Sequence, residues 1–143
     1  MTSMIDTVGF DCVWLASDIA GCLAAVVTAG VGPIPESVFG GPVDLSDLEY
    51  RLLQLPVVGE ASAVVEDGDA TSFLELARRG LLVFDWTDVH SFDRAKIDAY
   101  QLVAAPACAI HASDLPADLG AVALRQRLSS AFGDRLTLDM LAD

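Results

Sequence analysis

Two short, mostly apolar runs, Cys12–Ser17 and Cys22–Ala29, with β-branched Val13, Val26, Val27 and Thr28 among them, flank the stretch Ser17-Asp18-Ile19-Ala20-Gly21. Apolar runs around a loop of a few turn-forming residues predict a β-hairpin. Nearly every position in both runs is apolar, where a half-exposed strand would alternate. Both faces are therefore expected to be covered and both strands to be central. Gly30-Val31-Gly32-Pro33-Ile34-Pro35 then ends the second strand, since its prolines cannot donate to a ladder.

The periodicity changes at Asp44–Leu55, where Leu45, Leu48, Leu52 and Leu55 recur at helical spacing and Asp47, Glu49, Arg51 and Gln54 take the outer face. Pro56 stops that helix. Val57–Glu66 reads as a strand with an irregularity at Gly59, followed by a turn at Asp67-Gly68-Asp69. Ser72 and Glu75 have the spacing of a capping box at the start of a second helix. Phe73, Leu76 and Ala77 point inward, Arg78 and Arg79 suit its last turn, and Gly80 ends it. Leu81–Trp86 is the next strand, and a short helix is expected at Ser91–Ala99. Tyr100–Ile110 reads as a strand whose Pro106 implies an edge or a bulge. The last helix opens at Asp114-Leu115-Pro116 with Leu115, Leu119, Val122 and Leu128 on one stripe; Gly133 ends it, leaving residues 134–143 as a C-terminal tail.

No repeat, linker or low-complexity segment divides this order. It predicts an α+β fold, a single domain over residues 1–143, with an antiparallel-dominated sheet of about five strands and helices packed against it. An apolar fraction of 53% over 143 residues supplies a core without disulfides or a structural metal.

Charge narrows the partners. Eight Lys and Arg face 21 Asp and Glu, for a net charge of −13. Such a field repels nucleic acid and anionic lipid, and it draws in a basic protein. The same acidity also keeps an apolar chain in solution. Met1–Asp11 has no Lys or Arg to begin a signal peptide. The longest uncharged run, Ile19–Pro35, is broken by glycine and proline too often to span a membrane. A cytoplasmic location is expected. Cys12, Cys22 and Cys108 form an odd set, unlike a disulfide framework, and are read as core thiols.

Asp85-Trp86-Thr87-Asp88-Val89-His90 is the densest polar cluster. Two carboxylates and an imidazole there are the beginnings of a metal site, but Asp88 equally caps a helix and the others suit a loop, so no metal or other cofactor is expected. Cys108 and His111 have the composition of a nucleophile pair, yet residues three apart in a strand face opposite ways. Thr28–Pro33 is rich in glycine, but Pro33 and Pro35 remove two of the backbone donors a phosphate cradle needs, which leaves a structural turn. No catalytic residue is assigned. Acidic patches for a protein partner are Glu66, Asp67 and Asp69 at one turn and Asp85, Asp88 and Asp93 at another. Trp86 is either their aromatic anchor or a core residue.

The segment from Val13-Trp14-Leu15-Ala16-Ser17-Asp18 to Thr28-Ala29-Gly30-Val31-Gly32-Pro33-Ile34-Pro35, with Gly80-Leu81-Leu82-Val83-Phe84-Asp85-Trp86, resembles small acidic bacterial proteins similar to immunity proteins of toxin systems. That resemblance implies a protein that binds and neutralises a basic toxin. The alternative is a small ligand-binding domain or enzyme built on the Asp85–His90 loop.

Overall fold

The structure is a computed structural model that describes residues 4–5, 11–30, 32–64, 70–86 and 99–141. The hairpin forms as its pattern predicts. Strand β2 (Val13–Ser17) runs antiparallel to β3 (Leu23–Val27), in register from Val13↔Val27 to Ser17↔Leu23. Asp18 shapes the turn. One carboxylate oxygen accepts the N–H groups of Ala20 and Cys22, both at 2.9 Å, and the other accepts Phe132 N–H at 3.2 Å. A buried carboxylate is tolerable only when its lone pairs are met in this way.

Of the two hairpin strands, only β3 is central. The main sheet runs β2, β3, β6 (Leu82–Trp86), β7 (Tyr100–Pro106) and β5 (Ala61–Ala63), with β8 (Arg135–Leu136) also on β7, so β2 lies at its margin. All five of its residues are nonetheless buried, because the 126–128 segment seals that margin. Ser17 N donates to Gln126 O at 2.9 Å, Leu128 N to Ser17 O at 2.8 Å, and the Gln126 side-chain amide to Leu15 O at 2.9 Å. Burial on both faces of a strand therefore does not require a strand on each side.

β3 and β6 are parallel, and every other pairing of the main sheet is antiparallel. β6 lines one side of β7. On the other side β5 and β8 lie end to end, β5 against residues 104–106 and β8 against 100–101. A separate two-stranded ladder joins β1 (Met4–Ile5) to β4 (Ile34–Pro35). The fold is α+β with a sheet dominated by antiparallel pairs.

Helix α1 (Leu45–Leu53) buries Leu45, Leu48 and Leu52 as expected. α2 (Thr71–Ala77) begins one residue before the predicted cap: Ala70 is the N-cap, without a side-chain bond, and Ser72 lies inside the helix. Glu75 faces the other end instead, pairing with Arg78 at 2.6 Å and Arg79 at 3.4 Å. Gly80 ends the turn at φ +92°, where an added Cβ would also stand 2.8 Å from Ile110 N. Of the strand expected over Val57–Glu66, the described residues 57–64 form Ala61–Ala63; its start is lost because the N–H groups of Val58 and Gly59 are committed to Arg78 O, and residues 65–66 lie outside the described residues.

α3 (Ala117–Arg125) stops eight residues short of Gly133. Gln126 leaves helical geometry, at φ −117° and ψ 83°, to serve β2. Beyond Gly133 the chain is not a tail: β8 pairs with β7, and Leu141 bridges Leu128. The helix expected at Ser91–Ala99 and the turn at Asp67–Asp69 lie outside the described residues, apart from Ala99. Trp14, Leu15, Phe84 and Tyr100 form the centre of the core, each fully buried.

Candidate functional site: an acidic cleft at the end of the parallel pair

Sheet register places Val13, Val27 and Asp85 side by side on three adjacent strands, so their side chains share one face. α1 brings Glu49 to this corner, and α2 brings Ser72, Phe73 and Leu76. Asp11, just before β2, completes the rim. The result is a cleft of about 280 Å³ with Val13, Val27, Phe73 and Leu76 in its walls and Asp11, Glu49 and Asp85 around it. It opens where β3 and β6 both end. Ligands of open sheets with parallel strands settle at such carboxyl ends, because the chain leaves the sheet there and exposes loops.

Five described arginines are committed to other groups. Arg51 holds Asp118 through a two-pronged pair at 2.8 and 2.9 Å, and Arg78 and Arg79 hold Glu75. Arg125 donates to the carbonyls of Ser37 and Phe39, and Arg127 to that of Ile19. The Asp11 and Glu49 side chains make no ion pair among the described residues, whereas Asp85 has a partner. Asp11 and Glu49 both reach the Cys12 thiol electrostatically, adding to the burial that pushes its pKa up.

Asp85 is the residue of this cleft that the sequence singles out. Trp86, its neighbour, points into the opposite face of the sheet. It is 7% exposed and meets Tyr100 edge-to-face with ring centroids 5.0 Å apart. Of the two readings of Trp86, anchor or core residue, its burial fits the second, because alternation along β6 turns it inward when Asp85 turns to the cleft. Glu66, Asp67, Asp69, Asp88, His90 and Asp93 lie outside the described residues. Asp11 and Glu49 escape sequence reasoning. Glu49 is one of several polar residues on a helix face, and only the packing of α1 over the strand ends distinguishes it.

The cysteines are arranged differently from expectation. Cys12 is buried, Cys22 partly so, and Cys108 exposed, so Cys108 is not a core thiol. β7 ends at Pro106, which releases the following residues from the sheet. His111 faces Cys22 across an isolated bridge, with Nε2 4.0 Å from Sγ, and its Nδ1 stands 4.0 Å from Asp114. A Cys–His–acid order invites comparison with a nucleophile relay. The chemistry runs the other way. Burial and the nearby Asp18 push the Cys22 thiol up, away from thiolate. In the turn at Ala112–Asp114 the Asp114 N–H donates to the His111 carbonyl at 2.8 Å and the His111 N–H to the Asp114 carboxylate at 2.9 Å, so the turn is held through the backbone of His111. At 4.0 Å, neither the sulfur nor the carboxylate contact of the ring is within the reach a relay needs.

Among the described residues no three His, Cys, Asp or Glu side chains are grouped to hold a metal ion. The Thr28–Pro33 segment is a turn latched to the core, with Gly32 N–H on Thr28 O at 2.8 Å and Tyr100 donating to Pro33 O at 2.7 Å. No described helix is long and apolar enough to cross a membrane. No protein-family model matches this chain, and no curated protein or solved structure matches it either.

Proposed function

We propose that this chain is an acidic protein-binding module whose partner presents a basic surface, in the manner of an immunity protein that neutralises a toxin. The observation that supports this reading is the cleft. Acidic residues from three separate segments line it, while five described arginines are tied to other groups. A net charge of −13 extends the same attraction beyond the cleft and speeds encounter with a cationic partner.

Immobilised chain, presented with native cytosol and with the product of the neighbouring gene, tests the reading. Charge reversal of Asp11, Glu49 and Asp85 to Lys, and separately of Glu66, Asp67 and Asp69, maps the face. Association should slow steeply as the Debye length falls from about 10 Å at 0.1 M salt to about 3 Å at 1 M, with dissociation less affected. A partner that binds both reversed variants as well as the parent defeats the proposal.

One observation favours the alternative of a small ligand-binding domain or enzyme at the Asp85–His90 loop. Asp85 does line a concave site. That site includes neither Cys108 nor His111, the residues that would give such a loop a nucleophile or a base.

A further inference from the structure

We infer that the cleft between α1 and α2 is a socket for a single arginine side chain of the partner. This rests on the protein-binding reading and names what enters the site. Size is the first argument. Pockets for free small-molecule ligands run from roughly 300 to 1,000 Å³. At about 280 Å³ the cleft falls just under that range and suits one long side chain.

Lining is the second argument. The partly exposed Val27 and Phe73, backed by the buried Val13 and Leu76, offer apolar surface to a methylene stem, as long cationic side chains need when they bury the stem and keep the head polar. Charge is the third. Asp11, Glu49 and Asp85, from a strand lead-in, a helix and a strand end, all line the cleft, so a cationic head group seated there has acidic neighbours on three segments. Guanidinium, with five donors in a rigid plane, satisfies such an arrangement better than an ammonium point charge. Phe73 supplies a ring against which the same plane stacks. Guanidinium is also the more weakly hydrated cation and gives up less on leaving water.

Methyl NMR of the full chain titrated with Nα-acetyl-arginine amide tests this, with the uncharged citrulline analogue and Nα-acetyl-lysine amide beside it. Saturable shifts should be confined to the methyls of Val13, Val27 and Leu76. The citrulline analogue should bind at least about tenfold more weakly, since it keeps the shape and loses the charge. The lysine probe should fall between them. Asp11→Asn with Glu49→Gln should abolish the shifts, and adding Asp85→Asn should change nothing further; the double variant is the decisive one if the triple misfolds. Equal binding by the citrulline or lysine probe, or arginine shifts scattered beyond the cleft, would overturn the inference. A chain that captures a basic partner salt-sensitively but ignores the arginine probe keeps the partner reading and loses the socket. Failure of both arms removes both.

Discussion

The Tyr100 hydroxyl donates to the carbonyl of Pro33 at 2.7 Å and lies 3.4 Å from Trp14 Nε1, which donates to it. One buried oxygen thus joins the middle of the sheet to the turn that leaves β3. Gly32 lies so close to this ring that a Cβ there would strike the hydroxyl and its ring carbons. Tyr100→Phe leaves a buried carbonyl and an indole N–H without their partner and should cost about 1–3 kcal/mol. Gly32→Ala should destabilise as well, through overlap, by about 1–3 kcal/mol. Urea midpoints measure both. The pair should be less than additive, since removing the hydroxyl relieves the tightest of the overlaps.

Thiol reactivity should follow exposure. Cys108 should label quickly in the native protein, Cys22 slowly and Cys12 only on unfolding, because burial holds both of the latter as thiols. Timed alkylation read by peptide mass spectrometry gives the order directly. Replacing His111 by Gln should leave the Cys22 rate within about twofold, since general-base activation is worth about 10²-fold or more where it operates. A hundredfold loss would restore the relay that the 4.0 Å separations argue against.

These thiols also show what the sequence can and cannot express. The hairpin, α1, the glycine stop at Gly80 and the α+β class follow from local pattern, and all of them are in the structure. Cys108 was legible only as an apolar letter near a strand. Its exposure depends on β7 ending at Pro106. α3 ends early for a reason eight residues of helical pattern cannot reveal: Gln126 has a long-range duty at Leu15. The cleft joins Asp11, Glu49 and Asp85, residues brought together only by the packing of α1 and by the parallel pairing of β3 with β6. Asp85 was found because polar residues cluster at a strand end, whereas the other two carry no local signal.

Stability should decline at both ends of the pH scale, for opposite reasons. The Arg51 guanidinium, with help from the Leu119 N–H, holds the Asp118 carboxyl below its ordinary value of 3.8. A lowered native pKa stabilises the fold above the unfolded value, and that contribution disappears as pH falls through the native one. Burial raises the Cys12 thiol above its ordinary 9.0, and it raises the Tyr100 hydroxyl further still. Raised values give a contribution complete below the unfolded pKa and lost as pH climbs towards the native one. Urea midpoints should therefore fall below about pH 4 and again above about pH 9. Asp118→Asn should flatten the acid limb only, and Tyr100→Phe the alkaline limb only.

The sharpest difference between a tail and a structural C-terminal segment lies at Leu136. On the pattern of residues 134–143 alone, its truncation would be close to neutral. In the fold Leu136 is fully buried opposite Tyr100, and the neighbouring Leu102 N–H is met by Asp134 O at 2.9 Å. β8 thus occupies the stretch of β7 that β5 leaves uncovered. A buried leucine reduced to alanine loses its transfer free energy and leaves a cavity, together about 2–5 kcal/mol. Against a total stability of about 5–15 kcal/mol this is a large fraction. Leu136→Ala should accordingly lower the urea midpoint substantially and speed amide exchange at Leu102, whose partner it helps to hold. Met140→Ala, at a site 37% exposed, should change stability by less than about 1 kcal/mol and serves as the control. Equal and small effects for the two variants would mean that β8 does not close this margin of the sheet in solution.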